Sequence, residues 1–227
     1  MIDLHTHTLF SDGQLVPAEL VRRAQAKGYE GIALTDHADS SNLDWIIPRI
    51  VRFCEKLRKD DTFRVIPGIE LTHVDPESIP LLVQEARSLG AKLVLVHGET
   101  IVEPVPPGTN RAALEAGVDI LAHPGLITEE LVFLAKEKGI FLEISARKGH
   151  SLANGHVAKL AKKIGASLIL NTDAHSPGDL IDSDQARAVA AGAGLSGSDW
   201  KNMRENARDV LQRIFPCQED VSKHISS

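Results

Sequence analysis

The chain begins Met1-Ile2-Asp3-Leu4-His5-Thr6-His7, and the two histidines two apart are the first residues able to do chemistry. Ile2 to His5 reads as a short strand, and residues i and i+2 of a strand point to one face. Two imidazoles held side by side at a strand end suit a divalent ion. Asp12, in a Ser11-Asp12-Gly13 turn, can bring a carboxylate to the same place. The pattern then recurs along the chain. Of ten histidines, six (His5, His7, His37, His97, His123 and His175) lie at or just past the C-terminal end of an apolar run, as do Asp12, Glu70 and Asp173. Packing has no use for polar groups placed after apolar strands on one face only, so these nine are candidate metal ligands.

Nine N and O donors exceed the four that one zinc ion takes. They fit a cluster of two or three ions with a bridging carboxylate. Glu70 is the natural bridge, since a carboxylate has two oxygens and an imidazole one free nitrogen. No thiolate is present, so Zn, Mn or Fe would each fit. Such a cluster deprotonates a bridging water near neutral pH and neutralises phosphoryl oxygens during in-line displacement. The expected chemistry is metal-dependent hydrolysis of a phosphoester, with a metal-bridging hydroxide as nucleophile. Arg147 could fork onto phosphate oxygens, with Lys148 or His150 as further phosphate-binding candidates; the rival reading of residues 147–151 is a solvated basic loop. A metal or a protonated His175 would assist the leaving oxygen. His73 is read as a supporting or surface residue, and His156 and His224 as surface residues.

These residues need elements to hold them. Seven short apolar runs read as strands, at 2–5, 31–35, 64–70, 92–97, 119–123, 141–145 and 167–171. Helical periodicity or capping falls between and after them, at 17–27, 42–59, 76–89, 109–116, 128–138, 154–163, 179–191 and 198–214. Asn42 and Thr109 read as helix caps, Gly28, Gly90 and Gly165 as stops, and Pro48 as an early kink. Repeated βα units demand a parallel sheet with right-handed crossovers. An open sheet draws its site from a few strands at a switch point, whereas candidate ligands here follow nearly every strand. The expected fold is an α/β (β/α)7 barrel in a single domain over residues 1–215, with a loose polar tail at 216–227.

Composition narrows the function. The 227 residues carry a net charge of −6 and show no basic patch, so nucleic acid is not expected as a stable partner. No apolar run approaches the ~20 residues needed to span a bilayer, and no signal peptide is evident. Cys54 and Cys217 form no Cys-x-x-Cys pair, which fits a reducing cytoplasm. The expected partner is a small phosphorylated metabolite; oligomeric state is not legible.

His5-x-His7, Ser11-Asp12-Gly13, Thr35-Asp36-His37, Gly68-Ile69-Glu70, His97, Ala122-His123-Pro124 and Asp173-Ala174-His175 together resemble the PHP (polymerase and histidinol phosphatase) superfamily. The resemblance runs in order from residue 1 to about residue 214. It implies a distorted (β/α)7 TIM-like barrel with three divalent metal ions, many members being stand-alone phosphatases. It also implies a partition: His5, His7, Glu70 and Asp173 at one position, Glu70, His97 and His123 at a second, and Asp12, His37 and His175 at a third. Histidinol phosphate or a nucleotide-like phosphate is the implied substrate. Two alternatives stand beside this: an amidohydrolase-type deaminase or amidase, which commonly has a metal-bridging lysine, and a non-catalytic PHP accessory module.

Overall fold

The computed structural model describes residues 1–57 and 62–216. Beyond Pro216 the expected tail lies outside the described residues, as do the last residues of the helix expected over 42–59. The strands are β1 (Ile2–Asp3), β2 (Gly31–Leu34), β3 (His37–Ala38), β4 (Arg64–Leu71), β5 (Leu93–His97), β6 (Ile120–Ala122), β7 (Phe141–Ser145) and β8 (Leu168–Asn171). All pairings are parallel, in the order β1-β2-β4-β5-β6-β7-β8. β3 prolongs β2 along the same neighbour, Leu34 pairing with Pro67 and His37 with Glu70. The ladder is interrupted at Thr35-Asp36, whose side chains turn to other partners. The result is seven staves in a nearly closed barrel flanked by helices.

Closure between the first and last staves is made partly by side chains. β1 is shorter than expected because the Leu4 amide donates to Asn171 Oδ1 at 2.9 Å instead of entering a ladder. Asp3 accepts from the amide and hydroxyl of Thr172, and a single bridge joins Thr6 to Ala174. Asn171 also donates to Glu143 Oε1 at 2.8 Å. Asn171→Ala is expected to cost about 1–3 kcal/mol by leaving a buried N–H unpaired. A urea titration would show this as a lower midpoint at unchanged slope.

The helices are α1 (Pro17–Ala26), α2 (Leu43–Lys56), α3 (Ile79–Ser88), α4 (Thr109–Ala116), α5 (Glu129–Lys138), α6 (Asn154–Ile164), α7 (Ser183–Gly192) and α8 (Gly197–Ile214). Several ends depart from expectation for local reasons. The residue preceding α4 is Gly108, with φ 96°, so Thr109 starts the helix rather than capping it; its hydroxyl donates to the Pro106 carbonyl. The segment expected at 179–191 starts its helix at Ser183, because the Asp182 carboxylate accepts from the Gln185 amide and fixes the N-cap there. α3 is preceded by a 3-10 turn, Pro76–Ser78. α2 runs through Pro48 and ends at Lys56, where Leu57 turns extended.

Apolar packing forms two layers. Outside the staves, α1 buries Leu20, Val21 and Ala24 and α2 buries Ile46, Ile47 and Ile50. Inside the barrel, Leu4, Ile66, Leu95, Ile120 and Ile169 form a separate cluster, joined by Ala207 and Val210 of α8. The interior is therefore filled with side chains and stoppered by α8, which leaves the C-terminal ends of the staves to carry polar groups. No helix among the described residues is long and apolar enough to cross a membrane.

Candidate metal centre

All nine expected donors gather at the C-terminal ends of the staves. The chain beyond β1 is held extended between both neighbours: the Thr6 carbonyl accepts from Thr35 N, and His7 N donates to the Ala174 carbonyl, each at 2.9 Å. This sends the His5 and His7 side chains the same way. His5 Nε2 lies 3.2 Å from Glu70 Oε2 and 3.6 Å from Asp173 Oδ1; His7 Nε2 lies 3.6 and 3.1 Å from the same two atoms. His123 Nε2 approaches Glu70 Oε1 at 3.5 Å and Asp173 Oδ2 at 3.7 Å. Glu70 thus faces imidazoles with both oxygens. Toward the rim, Asp12 Oδ1 lies 3.2 Å from His175 Nε2 and 3.6 Å from His37 Nε2.

The loop carrying Asp12 is built around Asp36, whose carboxylate accepts from the amides and hydroxyls of both Thr8 and Ser11. Gly13 is required behind it, because a Cβ there would stand 2.4 Å from the His7 carbonyl oxygen. Backbone strain also collects here. Among the described residues, the non-glycine residues with positive φ are His73 (54°), His123 (25°) and Asp173 (53°), all at this site.

The fit to divalent ions rests on atoms without partners. His5 Nε2, both nitrogens of His7 and of His123, both oxygens of Glu70, His97 Nδ1 and Asp173 Oδ1 are buried and make no well-formed hydrogen bond, although His37 Nδ1 lies 2.8 Å from Glu70 Oε2 and His7 Nε2 3.1 Å from Asp173 Oδ1. Leaving one such group unpaired costs about 1–3 kcal/mol, so their concentration in one place is what a cation-binding centre requires. The donor set, imidazole and carboxylate without sulfur, suits Zn, Mn or Fe. Compact donor groups recur around it: His5, His7 and Glu70; His5, His123 and Asp173; His7, Asp12, His37 and His175; and His97 and His123 with His150.

Charge within the cluster is shared unequally. Burial opposes the charged forms of Glu70, His5 and His7 alike. Even so, the His5 and His37 imidazoles hold Glu70 well below the usual carboxylate range. Burial also works against the charged form of His5, but Glu70, Glu143 and Asp173 raise it well above an ordinary imidazole. His7 goes the other way, lowered by burial and by neighbouring His37. Protons on some imidazoles balance the carboxylates, and bound cations would replace those protons.

Glu143, buried in β7, was not legible as a site residue. It sits 2.9 Å from His5 Nδ1, accepts from the His123 amide at 3.0 Å, and takes the Asn171 amide on the same oxygen as His5. It therefore holds the His5 ring with Nε2 toward Glu70. A charged residue inside the apolar run Phe141-Leu142-Glu143-Ile144 was the available signal. Burial pushes its carboxyl up, but His5 and the other partners bring it to about 2. Glu143→Gln is expected to weaken metal affinity about 10–100-fold, measured by competition with a chelator; unchanged affinity would contradict this role.

A cavity of about 250 Å³ opens over the cluster, lined by Asp12, His37, Thr72, His73, His97, Glu103, Arg147, His150, Asp173 and His175. Arg147 reaches in, Nη1 donating to the Asp173 carbonyl at 3.1 Å and lying 2.7 Å from His175 Nδ1. Lys148 does not line the cavity. The chain turns through Gly149 (φ 95°), which leaves Lys148 exposed and brings His150 inward. His150 is buried, stacks on His123 at 4.0 Å, and is lowered to about 3 by burial and by His123. His73, expected as a supporting or surface residue, borders the cavity beside Glu103. His156 is half-buried against the Ile127 carbonyl, away from the site.

A parallel barrel carrying on its C-terminal face a cluster of histidines and carboxylates that could hold metal ions is an architecture suited to enzyme sites. The family model described as "PHP domain" matches residues 3–150, and the chain belongs to that family. It is 48% identical over 93% of its length to an uncharacterized protein of Methanocaldococcus jannaschii, covering 99% of that protein. It is 28% identical over 94% of its length to a probable phosphatase of Thermoanaerobacter sp., covering 97% of that protein. Among solved structures, a chain of an archaeal ribonuclease P with mature tRNA matches at TM-score 0.70 and 18% identity, covering all of this chain and 97% of that one. The histidinol phosphate phosphatase of Lactococcus lactis, complexed with zinc, L-histidinol and phosphate, matches at TM-score 0.60 and 20% identity, covering 86% of this chain and 94% of that one.

Proposed function

We propose that this protein is a metal-dependent phosphatase that releases phosphate from a small phosphomonoester. The observation that carries the reading is the set of buried, unpartnered nitrogens and oxygens converging on Glu70 and Asp173 beneath a polar cavity. His5, His7, Glu70 and Asp173 would hold one ion, Glu70, His97 and His123 a second, and Asp12, His37 and His175 a third. When bound, the ions would supply hydroxide near neutral pH and offset charge on the phosphoryl oxygens. Arg147, at the cavity wall, orients the phosphoryl group by forking onto its oxygens. His175 has Nε2 toward Asp12 and Nδ1 against Arg147 and the Asp173 carbonyl. Ligation through Nε2 would therefore leave it no nitrogen for the leaving oxygen.

Two other readings have less support. An amidohydrolase with a bridging lysine needs a lysine at the site, and none lines the cavity among the described residues. The resemblance in fold to a ribonuclease P chain suggests a non-catalytic RNA-associated role, which neither a net charge of −6 nor an intact donor set favours. The test is phosphate release from a panel including histidinol phosphate and mononucleotides, after loading with Zn²⁺ or Mn²⁺. Metal-dependent release is expected; RNA binding without any turnover would support the second alternative instead.

A further inference from the structure

The residues so far given no role lie at the cavity mouth. Glu103 sits on the connection from β5 to α4, and three imidazoles converge on it. Its Oε2 is 3.0 Å from His97 Nε2 and 3.1 Å from His73 Nε2, and its Oε1 is 3.4 Å from His150 Nε2. Two donors bound to one ion at about 2.0–2.2 Å stand about 2.9–3.5 Å apart for angles near 90–110°. The Glu103 distances fall in that range, which charged hydrogen bonds share, and the donor atoms of His73, His97 and Glu103 all lie within 4.8 Å of one another.

The connection is built to keep Glu103 there. Glu99 Oε1 accepts from the amides of Gly108 and Asn110, and the Glu99 amide donates to Asn110 Oδ1, which staples both ends of the loop. Thr100 Oγ1 lies 2.8 Å from His150 Nδ1 and ties the loop to that ring. Pro104, Pro106 and Pro107 restrict the backbone just beyond Glu103. His73 gives an independent sign. It holds a left-handed backbone, φ 54°, a conformation shared among the described non-glycine residues only by His123 and Asp173, both candidate donors.

We propose that His73 and Glu103, with His97 shared from the inner donors, form an outer divalent-cation position at the mouth of the cavity. Two imidazoles and one carboxylate suit zinc or a similar first-row ion better than magnesium or calcium. His97 joins the two regions, with Nε2 facing Glu103 and Nδ1 buried and unpartnered; holding ions on both sides would require its ring as an imidazolate. The His73 and Glu103 side chains are 36% and 38% exposed, so an ion held there exchanges with solvent more readily than one held by His5 and Glu70, which are fully buried. The inference concerns ion binding and does not depend on the phosphatase reading.

The test is calorimetric titration with Zn²⁺ of the full-length protein retaining its tightly bound metal, beside Glu103→Gln and His73→Asn. Wild type should show a further binding event beyond the tight ions, and both variants should weaken it about tenfold or more while tight metal content stays at the wild-type value. Titration curves for both variants that overlay wild type, or no further event in wild type, would overturn the outer position. Failure of the phosphatase reading would show separately, as no turnover in the phosphate-release panel.

Discussion

Glu70→Gln is expected to reduce metal-dependent turnover by a factor of about 10³, the equivalent of about 4 kcal/mol of transition-state stabilisation. The reasoning is geometric. Both oxygens of Glu70 face ligand imidazoles at short range, Oε2 toward His5 and His7 and Oε1 toward His123. An amide of the same size has one oxygen and one N–H₂, so it cannot face two cations with lone pairs. At least one ion per chain should be lost with it. Mass spectrometry under native conditions counts the ions, and circular dichroism confirms that the variant folds. A folded Glu70→Gln protein with full metal content and wild-type turnover would remove Glu70 from its bridging role.

Stripping the metal should lower the melting temperature by about 8–16 °C. An ion present at about 1,000 times its dissociation constant contributes about 4 kcal/mol, and each kcal/mol is worth about 2–4 °C in a protein of this size. The physical source is the row of buried polar atoms that lack partners without cations, from His5 Nε2 to Asp173 Oδ1. The effect should shrink as the pH falls. His5 is raised well above its ordinary value in the ion-free protein by Glu70, Glu143 and Asp173, against the opposing effect of burial, so its proton competes with the ion at lower pH. Calorimetry with and without a chelator, at two pH values, measures both the drop and its pH dependence. Identical melting curves would mean that the cluster holds no ion.

Much of this centre was legible because a parallel barrel ties function to position. A polar residue just past an apolar strand must emerge on the C-terminal face, so His97, His123 and Asp173 declared themselves by where their strands end. What stayed hidden depends on three-dimensional approach. Glu143 lies within a strand, and nothing local reveals that His5, on the first stave, will meet it. Glu103 sits in a loop whose course is set by Glu99 and Asn110, a pairing over eleven residues that no periodicity encodes. Lys148 and His150 differ by two positions, and a glycine with positive φ between them decides which one enters the cavity. The split of the second stave at Thr35-Asp36 was likewise invisible, as were the bonds its side chains make to Thr6, Thr8 and Ser11.

The most direct test of the central claim is metal analysis of the purified protein, run beside phosphate release from a phosphomonoester panel. The account expects close to three tightly bound divalent ions per chain, with phosphate release that is lost on chelation and restored by Mn²⁺ or Zn²⁺. One ion or none, with no release after either metal is added, would contradict it.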